Sequence, residues 1–309
     1  MKRFILNLSF FILIIALIYI GCVIYILKYQ TPNQDSYLYA YRNKLNYLES
    51  LSSPRLIFVG GSNLAFGIDS KAIGDSVGLN VVNTATHAGI GLRYMIDDLK
   101  GRVRKGDVIV IVPEYAQFTS GYNGGVGNEN LTSVIAYNDR PTLNLLNMSQ
   151  WYTFILGIPK EIKTNRSSRY VENAFCYSAR NFNIYGDEVS HWDYPSPGNF
   201  ENVTGKETLS EYAVKDLAEK ITSLRAAGVN VLLMWPTTIQ SKYDNNLDFI
   251  DEIRNALAKE NIIFDSRQDL LVNPDSLAFD TPYHMSMPAV KMNTKKIIDF
   301  LKLNLSDKE

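Results

Sequence analysis

Short apolar runs alternate with segments of helical character after Pro54, and this alternation constrains the fold more than any other feature. Continuous Val, Ile and Leu runs are typical of strands buried on both faces of a parallel sheet. The runs are "RLIFVG" (55–60), "LNVVNTA" (79–85), "DVIVIVP" (107–113), "NVLLMWP" (230–236) and "NIIFDS" (261–266). Helices fit residues 70–77, 91–103, 209–227, 244–259 and 289–303. We predict a doubly wound α/β fold, a parallel sheet with helices on both faces, in which chemistry gathers at the carboxyl ends of the strands.

An apolar stretch, "FILNLSFFILIIALIYIGCVIYIL" (4–27), precedes this region. About 20 apolar residues cross a bilayer as a helix, whereas a cleavable signal peptide needs an apolar core of only about 7–15. We therefore predict an uncleaved transmembrane anchor over residues 1–29. The alternative, a lipoprotein cleavage site at Cys22, fits poorly because Tyr19 lies three positions upstream and the apolar run continues beyond the cysteine.

Charge around the anchor predicts its orientation. Lys2 and Arg3 favour a cytoplasmic N-terminus by the positive-inside rule, with Lys28 on the other flank reducing the asymmetry. We expect a single-pass membrane protein whose catalytic domain is extracytoplasmic. Residues 30–53 have helix-like apolar spacing and are predicted as a linker helix, followed by the main domain over 54–309.

Composition excludes several classes of protein. Lys and Arg number 31 against 32 Asp and Glu, which gives a net charge of −1 and argues against a nucleic-acid partner. The 2 cysteines include one inside the apolar stretch, so they imply neither a disulfide framework nor a cysteine metal site. We expect no metal and no organic cofactor.

The stretch "VGGSNLAFGID" (59–69) places Ser62 two residues beyond the first predicted strand. Gly60 and Gly61 permit a tight turn and close approach of the backbone to a ligand. A P-loop would need Gly-Lys-Ser/Thr after the last glycine, and no GxGxxG opens the first helix. The G-x-S-x-G elbow fails because Leu64 occupies its last position. Taken alone, the stretch also fits an ordinary Gly-Ser turn.

A nucleophilic serine needs a base, and the chain has 3 histidines: His87, His191 and His284. His284 is the best candidate because it directly precedes the C-terminal helix and has Asp280 four positions earlier. A hydroxyl is a weak nucleophile until an imidazole, itself held by a third group, accepts its proton.

These two blocks, "VGGSNLAFG" and "FDTPYHMS", resemble the SGNH (GDSL-like) hydrolases over about residues 55–304, with an insertion at about 116–210. The resemblance implies a three-layer, flavodoxin-like α/β/α domain. It also implies that Ser62 is the nucleophile, His284 the base and Asp280 its orienting acid. The interval here is Asp-Thr-Pro-Tyr-His, whereas the family has Asp-x-x-His, so the turn at Pro282 must restore the geometry.

The oxyanion-binding groups depart further from the family. "VNTATHAGIG" is similar to its second block, which implies that Gly89, or alternatively Gly91, donates a backbone N–H. The third block, Gly-x-Asn-Asp, is replaced by "VPEYAQF", so its Asn donor is absent. Glu114 cannot donate unless it is protonated, which leaves backbone groups, Tyr115 or Gln117. The complete set of oxyanion or substrate-binding candidates is Gly89, Gly91, Glu114, Tyr115 and Asn63.

The layout as a whole is similar to membrane-anchored SGNH-like proteins that modify envelope polysaccharides, namely D-alanyl transfer proteins of teichoic acid and exopolysaccharide O-acetyltransfer proteins. This resemblance implies an esterase or O-acyltransferase acting on acyl esters of cell-envelope polysaccharide, with a possible membrane acyltransferase partner. The aromatic insertion, including His191, Trp192 and Asp193, suits a glycan platform, although aromatic residues more often form core. The alternative is a catalytically inactive module that binds glycan or a transferase partner.

Overall fold

A four-stranded parallel sheet forms the centre of the computed structural model, which describes residues 1–126, 129–140, 142–167, 176–195, 207–264 and 267–305. The strands are β1 (Arg55–Gly60), β2 (Asn80–Asn83), β3 (Val108–Val112) and β4 (Asn230–Leu233). Their order is β2-β1-β3-β4, and all neighbours pair in parallel. This order belongs to the flavodoxin-like doubly wound type. The predicted α/β fold with a parallel sheet is confirmed.

Helices cover both faces of the sheet. They are α1 (Lys2–Ile24), α2 (Tyr39–Ser50), α3 (Ser62–Ala65), α4 (Ser70–Val77), α5 (Leu92–Lys100), α6 (Asn130–Tyr137), α7 (Met148–Ser167), α8 (Glu211–Ala226), α9 (Gln240–Asp244), α10 (Leu247–Lys259) and α11 (Met287–Leu305). Alternate side chains of a strand point to opposite faces. Ile57 and Val59 pack in a cluster with α2, α5, α8 and α10, whereas Leu56 and Phe58 pack with α4 and α11. The result is three α/β/α layers.

The fifth apolar run, predicted as a strand over 261–266, is not a strand in its described part. It is irregular over 261–264, and residues 265 and 266 lie outside the described residues. Asn261, two residues after the end of α10, has a φ of 58°. Ile262 N–H donates to the Leu257 carbonyl, and the chain turns out of the helix there. Phe264 then fills the core from a loop, stacked on Trp235 at a centroid distance of 4.1 Å. A two-stranded parallel pair, β5 (Thr238–Ile239) and β6 (Val272–Asn273), lies outside the main sheet.

One helix among the described residues, Lys2–Tyr29, is long and apolar enough to cross a bilayer. It fits a single-pass membrane anchor or a signal sequence. Most of it is exposed, but Ile26 near its C-terminal end is only 1% exposed and belongs to the core of the domain. The following α2, within the predicted linker 30–53, also buries Leu45 and Leu48 in that core.

Candidate active site

The carboxyl ends of β1 and β3 bring Ser62 and Glu114 together. Gly60 pairs with Val112 in the register of these strands, so the residues two positions beyond each strand become neighbours. Ser62 Oγ donates to Glu114 Oε1 at 3.3 Å. Because β2 and β3 lie on opposite sides of β1, this is the topological switch point of the sheet, where doubly wound folds bind their ligands.

Two glycines make room for this approach. A Cβ on Gly60 would overlap the Val112 carbonyl oxygen, and a Cβ on Gly61 would overlap the Glu114 carboxylate. The φ of Gly61 is −85°, so space and not backbone conformation is what requires a glycine there. The same carboxylate oxygen accepts the Asn63 N–H at 3.1 Å. The Gly-Gly-Ser turn therefore fits around Glu114.

His284 and Asp280 form a hydrogen-bonded dyad. His284 Nδ1 lies 2.7 Å from Asp280 Oδ1. An antiparallel bridge between Ala278 and Met285 closes the loop that carries them, which brings residues four apart side by side. Burial opposes ionisation of Asp280, but the hydrogen bond and charge of His284 outweigh it, so the pKa of this carboxyl lies below its usual value.

The segment that carries Ser62 also supports the base. The ring of Phe66, four residues after the serine, stacks on the His284 imidazole with centroids 4.0 Å apart. Met285 N–H, next to the base, faces the Phe66 carbonyl at 3.4 Å. Among the described residues no hydrogen bond joins Ser62 to His284, because the serine hydroxyl is directed to Glu114.

Glu114 is a buried ionisable group in contact with Ser62. It is 6% exposed, and its own N–H donates to Gln117 Oε1 at 3.0 Å. Burial raises the pKa of the Glu114 carboxyl, although the Asn63 amide and the charge of His284 act in the opposite direction. The His284 imidazole therefore acts electrostatically on the carboxyl that contacts Ser62.

Tyr177 contacts both residues of the dyad and was not predicted from the sequence. Its hydroxyl donates to Asp280 Oδ2 and lies 3.3 Å from His284 Nδ1, and the residue is 47% exposed. Tyr37 packs on it at a centroid distance of 5.6 Å and donates to the Thr86 carbonyl at 2.7 Å. The only signal for Tyr177 in the sequence is the aromatic density of the insertion.

The candidate oxyanion amides all have partners of their own. Gly89 N–H donates to His87 Nδ1 at 2.9 Å, and Gly91 N–H donates to the Ala88 carbonyl at 3.0 Å. Tyr115 N–H faces the Tyr283 hydroxyl at 3.4 Å. An oxyanion would have to displace one of these contacts.

Two candidate side chains are buried near the same strand ends. The Tyr115 side chain is 1% exposed. The Asn63 side chain donates to the Val112 carbonyl at 3.4 Å, while its buried Oδ1 has no partner within the described part of the chain.

The residues proposed as a glycan platform are described only in part, because residues 168–175 and 196–206 of the insertion lie outside the described chain. His191 is fully buried: Nδ1 bonds to Glu188 and Nε2 lies 3.0 Å from the Met285 carbonyl. It therefore supports the backbone next to His284. Trp192 is half-buried and Asp193 is exposed.

Comparison with known proteins adds little to this geometry. No family model matches the chain, and no curated protein matches it. A solved structure, an acetyl xylan esterase (Est2A) from the rumen bacterium Butyrivibrio proteoclasticus, is similar with 13% identity and a TM-score of 0.28. The match covers 84% of this chain and 66% of that enzyme. A TM-score this low does not establish a shared fold.

The described side chains offer acid–base and nucleophilic chemistry. Within the described ranges, no group of three or more His, Cys, Asp or Glu side chains is placed to hold a metal ion. A hydroxyl and a buried carboxyl meet at the switch point, and an imidazole held by a carboxylate packs on the segment that carries the hydroxyl. Groups of these types are the ones that acyl transfer uses.

Proposed function

We propose that the chain is an SGNH-type serine enzyme, an esterase or O-acyltransferase that acts on acyl esters. The observation that carries this proposal is the His284–Asp280 dyad, with atoms 2.7 Å apart, stacked on Phe66 of the serine segment. A serine two residues beyond β1 and an oriented imidazole packed on the same segment are the parts that nucleophilic acyl transfer requires.

In the proposed reaction, Ser62 Oγ attacks the ester carbonyl and its proton passes to His284 Nε2. Asp280, held by Tyr177, keeps the Nδ1–H tautomer and stabilises the imidazolium. The leaving alkoxide takes the proton from His284, and an acyl group remains on Ser62. Water or a sugar hydroxyl then attacks this acyl-enzyme and gives its proton to His284. The bond between the acyl carbon and Ser62 Oγ breaks, the free acid or acylated sugar leaves, and His284 returns the proton to Ser62 Oγ.

We propose further that the acyl esters belong to cell-envelope polysaccharide. The apolar helix at the N-terminus fits an anchor that would hold the domain at the membrane, outside the cytoplasm. Tyr177 is exposed beside the dyad and offers an aromatic face to a sugar ring. A membrane-embedded acyltransferase is the partner that would deliver acyl groups to such a domain.

A catalytically inactive glycan-binding or partner-binding module is the second candidate. It is favoured by one observation: the Ser62 hydroxyl and the Gly89 and Gly91 amides are all engaged within the protein. Loss of one oxyanion donor typically costs about 10²–10³ in rate, so an incomplete set would leave little activity.

Product analysis separates these functions. The full-length protein in detergent is incubated with an activated acetyl ester, with and without a soluble envelope glycan, and both products are analysed by mass spectrometry. We expect acylated sugar or free acid, and neither product from Ser62→Ala. Free acid alone favours the esterase, whereas neither product from the native chain favours the binding module.

A further inference from the structure

Glu114 contacts the reacting atom directly. Its Oε1 lies 3.3 Å from Ser62 Oγ and 3.1 Å from Asn63 N, and Gly61 leaves the space that this oxygen fills. The oxyanion is the former carbonyl oxygen, which is bonded to the carbon that Ser62 Oγ attacks. A carboxyl oxygen at this distance from Ser62 Oγ is therefore within reach of the oxyanion. The charge state of the Glu114 carboxyl should therefore change the rate of the reaction.

The charge of Glu114 decides the sign of that response. An ionised carboxylate accepts a hydrogen bond from the serine hydroxyl and repels a developing oxyanion. A carboxylic acid can instead donate a hydrogen bond to the oxyanion. Three titratable groups from other parts of the chain interact electrostatically with Glu114: His284, Tyr283 and Tyr37. Of these only His284 can carry a charge near neutral pH, and it must be neutral to act as the base.

We propose that Glu114 is a catalytic residue in its protonated form, donating a hydrogen bond to the oxyanion in the place of the missing Asn. This inference rests on the proposed acyl-transfer function. As Ser62 Oγ bonds to the carbonyl carbon, the carbonyl π pair moves to oxygen and the serine proton moves to His284. Glu114 keeps its proton and shares it with the oxyanion until the leaving alkoxide departs.

A rival role, Glu114 as the base that removes the serine proton, predicts the opposite result for Glu114→Gln. Gln always has an N–H donor and can never be a base. In the oxyanion role, wild-type kcat/KM falls as the pH rises through ionisation of Glu114, and Glu114→Gln removes this alkaline limb. We expect kcat/KM of the variant to exceed that of wild type by about tenfold or more at the alkaline end of the pH range. This ratio lies within the usual contribution of one oxyanion donor to the rate.

Glu161→Gln is the matched control, because Glu161 is a fully buried carboxyl bonded to Gln30 and Ser133, with its pKa likewise raised by burial. It should keep the wild-type profile. A Glu114→Gln variant that is slower at every pH overturns the proposal in favour of the base, and an unchanged profile overturns it altogether. If Glu114→Gln does not fold, absence of an alkaline limb in wild type is sufficient to overturn it. Activity that survives Ser62→Ala refutes the proposed function instead.

Discussion

The His284 imidazole lies flat on the ring of Phe66, with an angle of 9° between their planes and 4.0 Å between their centroids. Phe66 closes the short turn that begins at Ser62, and its carbonyl faces the Met285 N–H. One aromatic side chain therefore fixes the base relative to the nucleophile. This stacking gives the first prediction.

Phe66→Leu should fold but react more slowly. Leucine keeps apolar volume and loses the stacking, which is worth about 0.5–1.5 kcal/mol, so we expect kcat to fall roughly threefold to tenfold. Phe66→Ala should in addition lower the free energy of unfolding by about 3–5 kcal/mol, because a fully buried ring is removed. Denaturant titration and steady-state kinetics measure the two effects. Wild-type kcat in Phe66→Leu would contradict this role.

Gly60→Ala should destabilise the fold at the start of the active-site turn. Its Cβ would overlap the Val112 carbonyl oxygen, and backbone cannot move aside cheaply. We expect the free energy of unfolding to fall by about 1–3 kcal/mol. Gly101→Ala is the control, since its nearest neighbour is 3.8 Å away, and it should leave stability equal or higher. Equal urea midpoints for Gly60→Ala and wild type would count against the close packing of β1 on β3.

Tyr177→Phe should lower kcat by about tenfold while leaving KM nearly unchanged. The hydroxyl holds the oxygen of Asp280 that His284 does not use, so its loss frees the carboxylate to rotate. A hydrogen bond to a charged group is worth about 1.5–3 kcal/mol, of which only the part felt in the transition state affects kcat. Tyr152→Phe, on the exposed face of α7, should react at the wild-type rate. Equal kinetics for the two variants would remove Tyr177 from the site.

Lys44 predicts a pH dependence of stability. Its side chain is 2% exposed and donates to the Ala85 carbonyl, and burial lowers its pKa to about 7, with Asp187 and Glu188 opposing the shift. Between this value and the ordinary lysine pKa of about 10.4, the unfolded chain binds one more proton than the folded chain, so stability rises with pH.

Relative to Lys44→Met, the wild-type free energy of unfolding should therefore increase by up to about 1.4 kcal/mol per pH unit above pH 7. Urea titrations at pH 7, 8 and 9 measure this difference. A constant difference between the two proteins across that range would show that Lys44 has an ordinary pKa in the folded state.

The sequence predicts best what depends on local pattern. Strands β1 and β3 are buried on both faces, so their apolar runs are continuous, and the position of Ser62 follows from the end of β1. The pairing of Asp280 with His284 could be proposed because a loop can bring residues four apart together. Their catalytic roles, and those of the oxyanion candidates, stay predictions.

Long-range contacts could not be read from the sequence. Glu114 meets Ser62 only because β3 pairs with β1, and Tyr177 meets Asp280 across 103 positions of sequence. The described part of the predicted strand, residues 261–264, is irregular for a related reason. Ile262 and Phe264 are buried as a strand would be, but they enter the core from a loop after Asn261.

The central claim is that Ser62 carries the acyl group. The most direct measurement is rapid acid quenching of the full-length protein with an activated acetyl ester, followed by peptide mapping by mass spectrometry. We expect one acetyl group on the peptide that contains Ser62, absent in Ser62→Ala and strongly reduced in His284→Ala. Removal of a single triad member should lower the rate of acylation by about 10³-fold or more. Acetylation of the same peptide in Ser62→Ala, or no acetylated peptide in the native chain at any quench time, would contradict the account.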